Sequence, residues 1–376
     1  MPWRTSRVFE QRFALIHAVR TAGVPVAAAC RRFGVSRKTA YKWLSRYGED
    51  QAAALVDRSR APVARPRRTG EDLARRILEL RAQFGWGARK LHADLRGRGV
   101  PVPSVRTVHA VLERAGVVTP PAPVDTAPTR FERARCNELW QVDFKSFLEV
   151  DRARLEHLTI LDDHSRYLLA FTRVPDLSMA SAWRVLWKVF GEVGLPESLL
   201  SDNAFGSTRS QPRTLSWFDC RLIRLGIRPL HGRPYHPQTQ GKVERVHGSL
   251  ERECFPRARK DDPVLFERDC AAWRQLYNHR RPHEALGDQP PITRWQKSPR
   301  VRPRRLPEIV YPAGTHLRRV ATSGDVHFKA FRLVAGKGLA GQWVALEEHD
   351  HEIVLRYSTY TLRRIPTSAL VPSRLV

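Results

Sequence analysis

The stretch LWQVDFKSFLEV, residues 139–150, sets an aspartate, Asp143, in the middle of an apolar and aromatic run. Trp, Val and Phe favour a strand and aspartate disfavours one, so local packing gives no reason for the acid to be there. Two further strand-like runs follow at once, RLEHLTILDDHS (154–165) and RYLLAFTRV (166–174), joined by short turns. SMASAWRVLWKVFGEVG (178–194) then reads as a helix, SLLSDN (198–203) as a strand, RTLSWFDCRLIRLG (213–226) as a helix and IRPLHG (227–232) as a strand. Two more helical stretches lie around 241–255 and 264–279. Three meandering strands followed by alternating helix and strand imply a mixed sheet layered with helices, an α/β domain over 136–295.

Outward from this domain, Pro/Arg-rich breaks divide the chain: 58–70, 119–135 and 296–308, each too polar and too rich in helix breakers to be expected to pack. They leave a piece at 1–57, a second at 71–118, the α/β domain at 136–295 and a piece at 309–376. The last carries five short strand-like runs, HLRRVATSG, DVHFKAFRLV, GQWVALEEHD, EIVLRYSTY and TLRRI, whose spacing predicts a small β-barrel.

The whole chain has 65 Lys and Arg against 38 Asp and Glu, a formal net charge of +27. Such an excess suits a polyanion, because each cation set against a phosphate releases condensed counterions. The charge is organised: residues 1–70 hold 15 Lys and Arg and only 4 Asp and Glu. Within 1–57 three short amphipathic helices are predicted, the last opening at Ser36 after Gly34 and running to Tyr47, the plan of a helix-turn-helix. Ala40, Trp43, Leu44 and Tyr47 form its apolar face. Arg37, Lys38, Thr39, Tyr41, Lys42 and Arg46 lie opposite, suited to base edges and phosphates. Residues 71–118 repeat the plan, with Arg106, Thr107 and His109 near the start of a helix opened by Ser104. Double-stranded DNA is therefore the expected partner.

No apolar run of the roughly 18 residues needed to span a membrane is present, and the first residues lack the apolar stretch of a secretory signal, which predicts a cytoplasmic protein with no membrane partner. The five cysteines form no Cys-x-x-Cys pair, so neither a zinc ribbon nor a disulfide framework is expected.

Two more acids stand in places as costly as Asp143. Asp202 ends the apolar SLLSDN run, and Glu244 rides the first turn of a helix after Gly241. Carboxylates brought together repel unless a cation binds them or one is protonated. Oxygen donors without cysteines suit a hard divalent ion, Mg²⁺ or Mn²⁺. Two such ions about 3.5–4 Å apart serve the attacking and leaving oxygens of a phosphodiester. Asp162 and Asp163 compete for this shell, but hairpin capping or an ion pair explains them at lower cost. In HGRPYHPQTQGKVER (231–245), His231 and His236 have nothing to aim both rings at one ion. The loop reads instead as a polar arm whose His236, Gln238 and Lys242 touch DNA as Glu244 is delivered.

WQVDFK, the LDDHSRY strand end, SDN, HGRPYHPQTQGKVER and YNHRRPHEALGDQPPITRW (277–295) resemble, in order, motifs of bacterial insertion-sequence transposases with a retroviral-integrase-type core. The resemblance implies a ribonuclease-H-like fold and a DDE triad at Asp143, Asp202 and Glu244, using two Mg²⁺ or Mn²⁺ ions. Asn278, Arg280, Arg281 and His283 are expected to fix the helix end and phosphates rather than to do chemistry, and Arg245 to contact DNA; joining two ends implies a homo-oligomer on transposon-end and target DNA, with no small-molecule substrate. Departures from the pattern are Ala204 in place of the glycine that often follows Asp-Asn, and Gly248 and Glu251 where relatives carry basic residues. The expected function is end recognition, metal-dependent strand cleavage and strand transfer. The alternatives are a catalytically inactive DNA-binding relative acting as a repressor, and a nuclease that cuts without joining.

Overall fold

The computed structural model describes residues 8–50, 55–57, 69–118, 132–146, 150–151, 153–202, 215–231 and 241–370. The chain divides into two compact units, Met1–Arg68 and Thr69–Val376.

The first unit holds α1 (Val8–Arg20), α2 (Val26–Phe33) and α3 (Arg37–Asp50). Leu15, Ala29, Cys30, Val35 and Ala40 bury against one another, and Ile16, Trp43 and Leu55 form a second small cluster. Gly34 closes α2 at φ 64, a left-handed conformation that costs glycine little. Ser36 Oγ then accepts the backbone N–H of Thr39 at 3.1 Å and opens α3. This is the helix-turn-helix that the sequence predicts.

The second unit opens with α4 (Glu71–Phe84), α5 (Ala88–Gly97) and α6 (Val105–Arg114), packed around Ile77, Leu80, Trp86, Leu91, Leu95, Val108 and Leu112. Ser104 caps α6 as Ser36 caps α3, accepting from Thr107 N at 3.3 Å.

The layered domain follows with β1 (Leu139–Ser146), β2 (Glu156–Asp162), β3 (Leu168–Val174), α7 (Met179–Val193), β4 (Ser198–Ser201), α8 (Trp217–Arg224), β5 (Arg228–His231), α9 (Gly241–Ser249) and α10 (Pro263–His279). Sheet order is β3-β2-β1-β4-β5. The first three strands are antiparallel, and β1, β4 and β5 are parallel. One face carries Val142, Leu158 and Ile160 against Trp183, Leu186 and Phe190 of α7 and Phe218 and Leu222 of α8. The other carries Leu161, Leu168 and Phe171 against Val243 and Val246 of α9 and Phe266, Cys270 and Trp273 of α10. The α/β layering expected for 136–295 is thus a mixed sheet between two helical layers. Helix α9 does not stop at Ser249 but widens into a π-helical turn, Leu250–Cys254.

Beyond residue 308, β6 (His316–Arg319), β7 (Asp325–Phe328), β8 (Phe331–Val334), β9 (Trp343–Glu348), β10 (Glu352–Tyr357) and β11 (Tyr360–Pro366) form an open four-stranded sheet, β11-β10-β9-β6, and a separate hairpin, β7-β8. The expected barrel does not close among the described residues. DVHFKAFRLV, read as one strand, is broken by Lys329 at φ 53 into two short strands that pair only with each other. The sheet and hairpin share an apolar core with Leu215, Cys220 and Ile223 at α8. At Gly338 a Cβ would lie 2.0 Å from the Leu215 carbonyl oxygen, so only glycine admits this approach.

The segment 296–308, expected not to pack, is strapped to the layered domain. Ser298 N donates to Val193 O at 2.9 Å, and Leu195 N donates to Arg300 O at 2.8 Å. The Arg300 guanidinium donates to the carbonyls of Leu225 and Gly226 at 3.0 and 2.8 Å, and that of Arg302 lies 4.4 Å from the Trp187 ring centre. Its arginines satisfy helix-end carbonyls and cover an aromatic face, a use that composition does not reveal. Breaks 58–70 and 119–135 lie largely outside the described residues. All five cysteines are free thiols, four of them buried.

Candidate active site

Strands β1 and β4 pair with Leu139 opposite Ser198 and Gln141 opposite Leu200. The same offset, carried two residues further, would bring Asp143, three residues before the end of β1, level with Asp202, just past the end of β4. Across β2, Asp143 faces Thr159, whose Oγ1 is 2.8 Å from His247 Nε2 on α9. Both aspartates therefore lie on the face of the sheet that α9 covers. On that helix Val243, Val246 and His247 turn inward, and Glu244, in the first turn, remains exposed.

The electrostatics tie the three acids together. The Asp143 carboxyl is pushed up to about 7, first by burial and next by the charge of Asp202. The Phe144 backbone N–H pulls it down, and Glu244 adds to the rise. Lys145, the cation that opposes the rise, is engaged with Glu251 at 2.8 Å. Asp143 thus carries a carboxyl that its surroundings do not neutralise, an oxygen donor of the chemistry that a hard divalent cation takes. Among the described residues, no three His, Cys, Asp or Glu side chains gather closely enough to hold an ion by themselves.

Two histidines border the acids without having been singled out for this role from the sequence. His247 Nδ1 is 3.9 Å from Asp143 Oδ2, and burial, then Lys145, lowers the ring's pKa to about 4, so it is neutral. The signal available was its position three residues after Glu244, on the adjoining helical face. His231 Nε2 is 3.0 Å from Asp219 Oδ1, and its Nδ1 is 3.3 Å from Ser201 Oγ. Burial lowers its pKa, but the Asp219 hydrogen bond and charge outweigh this and hold it above the usual value.

Asp162 and Asp163 serve structure, as their position at a turn suggests. Asp162 accepts from Ser165 N and Oγ at 2.8 and 2.6 Å and from Asn137 N at 2.8 Å. Asp163 accepts from Gln141 Nε2 at 2.8 Å, Arg133 N at 2.9 Å and Lys242 Nζ at 2.5 Å. Lys242 is thus directed into the protein.

The arginines of YNHRRPHEAL require a correction. Arg281 is buried, its fork spent on Glu253 at 2.7 and 2.8 Å and on Ser249 Oγ at 3.1 Å. Arg280 makes a two-pronged bond to Asp94 at 2.8 and 2.9 Å. Neither guanidinium is presented to DNA, because buried carboxylates of the same unit need both. Arg245 is exposed beside Glu244, and His236 and Gln238 lie outside the described residues. In α3, Arg37, Lys38, Tyr41 and Lys42 are exposed, while Thr39 serves the cap and Arg46 lies 5.1 Å from the Trp43 ring centre. In α6, Arg106 and His109 are exposed and Thr107 serves the cap.

Comparison with known proteins agrees with this layout. Two models described as integrase core domain match residues 133–237 and 225–291. A helix-turn-helix domain matches 11–62, and a homeodomain-like domain matches 39–112. An insertion element IS476 uncharacterized 39.2 kDa protein of Xanthomonas euvesicatoria is 25% identical over 72% of this chain and 78% of its own length. An insertion element IS407 uncharacterized 31.7 kDa protein of Burkholderia multivorans is 25% identical over 63% of this chain and 87% of its own. The Gag-Pro-Pol polyprotein of Mason-Pfizer monkey virus is 32% identical over 31% of this chain but only 6% of that polyprotein. A chain of the simian T-cell lymphotropic virus intasome in complex with PP2A regulatory subunit B56 gamma superposes with a TM-score of 0.39 at 19% identity, covering 79% of this chain and 98% of that one. With integrase-core models covering the layered domain and helix-turn-helix models the helices ahead of it, the comparisons support an insertion-sequence transposase with the integrase-type core of the DDE superfamily of polynucleotidyl transferases.

Proposed function

We propose that Asp143, Asp202 and Glu244 are the catalytic carboxylates with which this chain cuts the DNA strand at the end of its element and joins the freed 3′-hydroxyl to target DNA. The observation that supports the reading is the β1–β4 register, whose continuation would bring Asp143 level with Asp202, together with the rise that the charges of Asp202 and Glu244 impose on the Asp143 carboxyl. The three would hold divalent metal, two ions per site, as Mg²⁺ or Mn²⁺. Bound there, such ions supply Lewis-acid stabilisation of the charge that develops on the phosphoryl oxygens. Asp143 and Asp202, fixed by paired strands, define one side of the site, and Glu244 closes it from the helix. Neutral His247, hydrogen-bonded to Thr159, fills the space behind Asp143 without adding a competing charge.

Exposed Arg37, Lys38, Tyr41 and Lys42 of α3 and Arg106 and His109 of α6 would read the terminal repeats. Joining two ends calls for more than one copy on the DNA. The segments 1–57, 71–118 and 136–295 act in this reading as first reader, second reader and catalytic core.

A second reading is end binding without chemistry, favoured by the looseness of the acids among the described residues. Duplex oligonucleotides from the ends of the element's own locus, incubated with Mg²⁺ and either wild-type or Glu244→Gln protein, separate the two. Nicked and joined products from the wild type alone support catalysis. Equal products from both proteins would sink the triad, and binding with no products favours the second reading.

A further inference from the structure

Helix α9 and its π-helical continuation form one rod with a carboxylate at each end. Glu244 stands at the active site, and Glu253 lies nine residues on, about 13 Å along the axis. Glu253 is 5% exposed, yet its carboxylate is fully engaged. Trp86 Nε1 donates to it at 3.2 Å, Lys90 Nζ at 2.8 Å, and Arg281 Nε and Nη2 at 2.7 and 2.8 Å. Burial works against its charge, but the bonds and charges of Arg281 and Lys90 outweigh it and hold the carboxyl below its usual range.

Trp86 and Lys90 do not belong to the layered domain. They come from the α4–α6 bundle, in and just before α5, whereas Arg281 follows α10. Glu253 is therefore where the catalytic rod, the helical bundle and the end of α10 meet. A second tie lies beside it, Arg280 on Asp94 of α5, whose side chain is 3% exposed, with the guanidinium 4.3 Å from the Phe84 ring centre. Two more are peripheral: Arg89 of α5 to Asp288 at 3.0 Å, and Arg257 Nε to the Ala82 carbonyl at 3.1 Å. A bundle on a mobile tether needs none of these buried charges, and burying them is costly unless each is paired.

We infer that Glu253, with Arg281, Trp86 and Lys90, is a positioning device that holds α6 at a fixed distance from Glu244, so that the second DNA-reading helix selects which phosphodiester is cut. The inference rests on the active-site reading above. Successive phosphates along one strand are about 3.4 Å apart along the helix axis. Play of that size between bundle and rod lets the neighbouring bond enter the site, and a clamped carboxylate bonded to three side chains does not permit it. Glu253 touches no substrate; it acts through α9.

The test has two arms. Native-state hydrogen exchange on the full wild-type chain needs no variant: the amides of α5 and of the π-helical turn should open together, with one free energy, and independent opening of the bundle overturns the clamp. Cleavage of end-labelled duplexes from the element's own ends, read at single-nucleotide resolution, should give one cut position for the wild type. Glu253→Gln should spread the cuts over adjacent phosphates at unchanged affinity for the duplex. Arg89→Ala, which removes only a half-exposed tie, should leave a single position. A folded Glu253→Gln protein that cuts only at the wild-type position overturns the positioning role. Wild-type protein that binds but never cuts overturns the active-site reading instead, and the exchange arm still reads the clamp.

Discussion

Replacing Asp143 by asparagine should abolish cleavage and at the same time stabilise the metal-free protein. The carboxyl is raised from 3.8 to about 7, first by burial and then by the Asp202 charge. An acid with a raised folded-state pKa costs nothing below pH 3.8, where both states are protonated. The cost grows as pH rises from 3.8 to 7 and is complete above 7. A rise of about three units corresponds to an upper limit of about 4 kcal/mol at 1.36 kcal/mol per unit. The side chain keeps 21% of its exposure, and solvent screening brings the figure to about 2–3 kcal/mol. Asparagine fills the same volume and carries no charge at any pH. Urea unfolding in EDTA should therefore show Asp143→Asn more stable than wild type by about 2–3 kcal/mol at pH 8 and nearly equal at pH 4. Adding Mg²⁺ at tenfold its dissociation constant should raise the wild type by about 1.4 kcal/mol and leave the variant little changed. A variant no more stable than wild type at pH 8 in EDTA would refute the argument that these acids repel.

His283 should give the opposite pH dependence. Burial, then the charges of Arg281 and Lys90, lowers its pKa to about 2, so the folded state refuses a proton that the unfolded chain takes below about pH 6.5. Stability is retained above that pH and falls below it, by up to about 2 kcal/mol between pH 8 and pH 5. His283→Gln should flatten this part of the profile in urea titrations, and an unchanged difference between the two proteins across that range would refute the assignment. Arg37→Ala, at an exposed position of α3, should weaken binding to end-sequence and unrelated duplexes alike if it meets phosphate, lowering the log–log salt slope by about 1. A loss confined to the end sequence would mark it as a reader of bases.

The layered domain was legible because its strands are apolar runs bounded by turns, and because an acid inside such a run violates strand preference unless it has a task. Asp143 and Asp202 stood out in this way, and Glu244 through the motif that carries it at the start of a helix. Their mutual placement depended on the β1–β4 register, which joins strands far apart in sequence and is set by packing of both faces. His247 was hidden because a neutral buried histidine looks like any residue on the inner face of a helix. Arg280 and Arg281 fix the end of α10 as expected, but their phosphate role was misread for the opposite reason. Arginines in a strongly basic chain suggest DNA, and only the fold reveals that Asp94 and Glu253 wait for them from distant segments. The barrel failed at Lys329, where one residue in a left-handed conformation turns a long strand into a hairpin. The segment 296–308 failed because composition treats proline and arginine as unable to pack, whereas Arg300 finds two carbonyls just past the end of α8.

That segment bears on how such a chain can change over time. Proteins whose parts hang on free tethers can exchange a whole end by recombination, and the graft folds as it did before. Here the C-terminal sheet shares its core with α8, Gly338 abuts the Leu215 carbonyl, and Arg300 reaches back to Leu225 and Gly226. A crossover near residue 296 that imported a foreign sheet would separate partners fitted to each other, and the recipient would have to alter α8 in the same event. Inheritance of 215–370 as one block is the outcome this architecture favours.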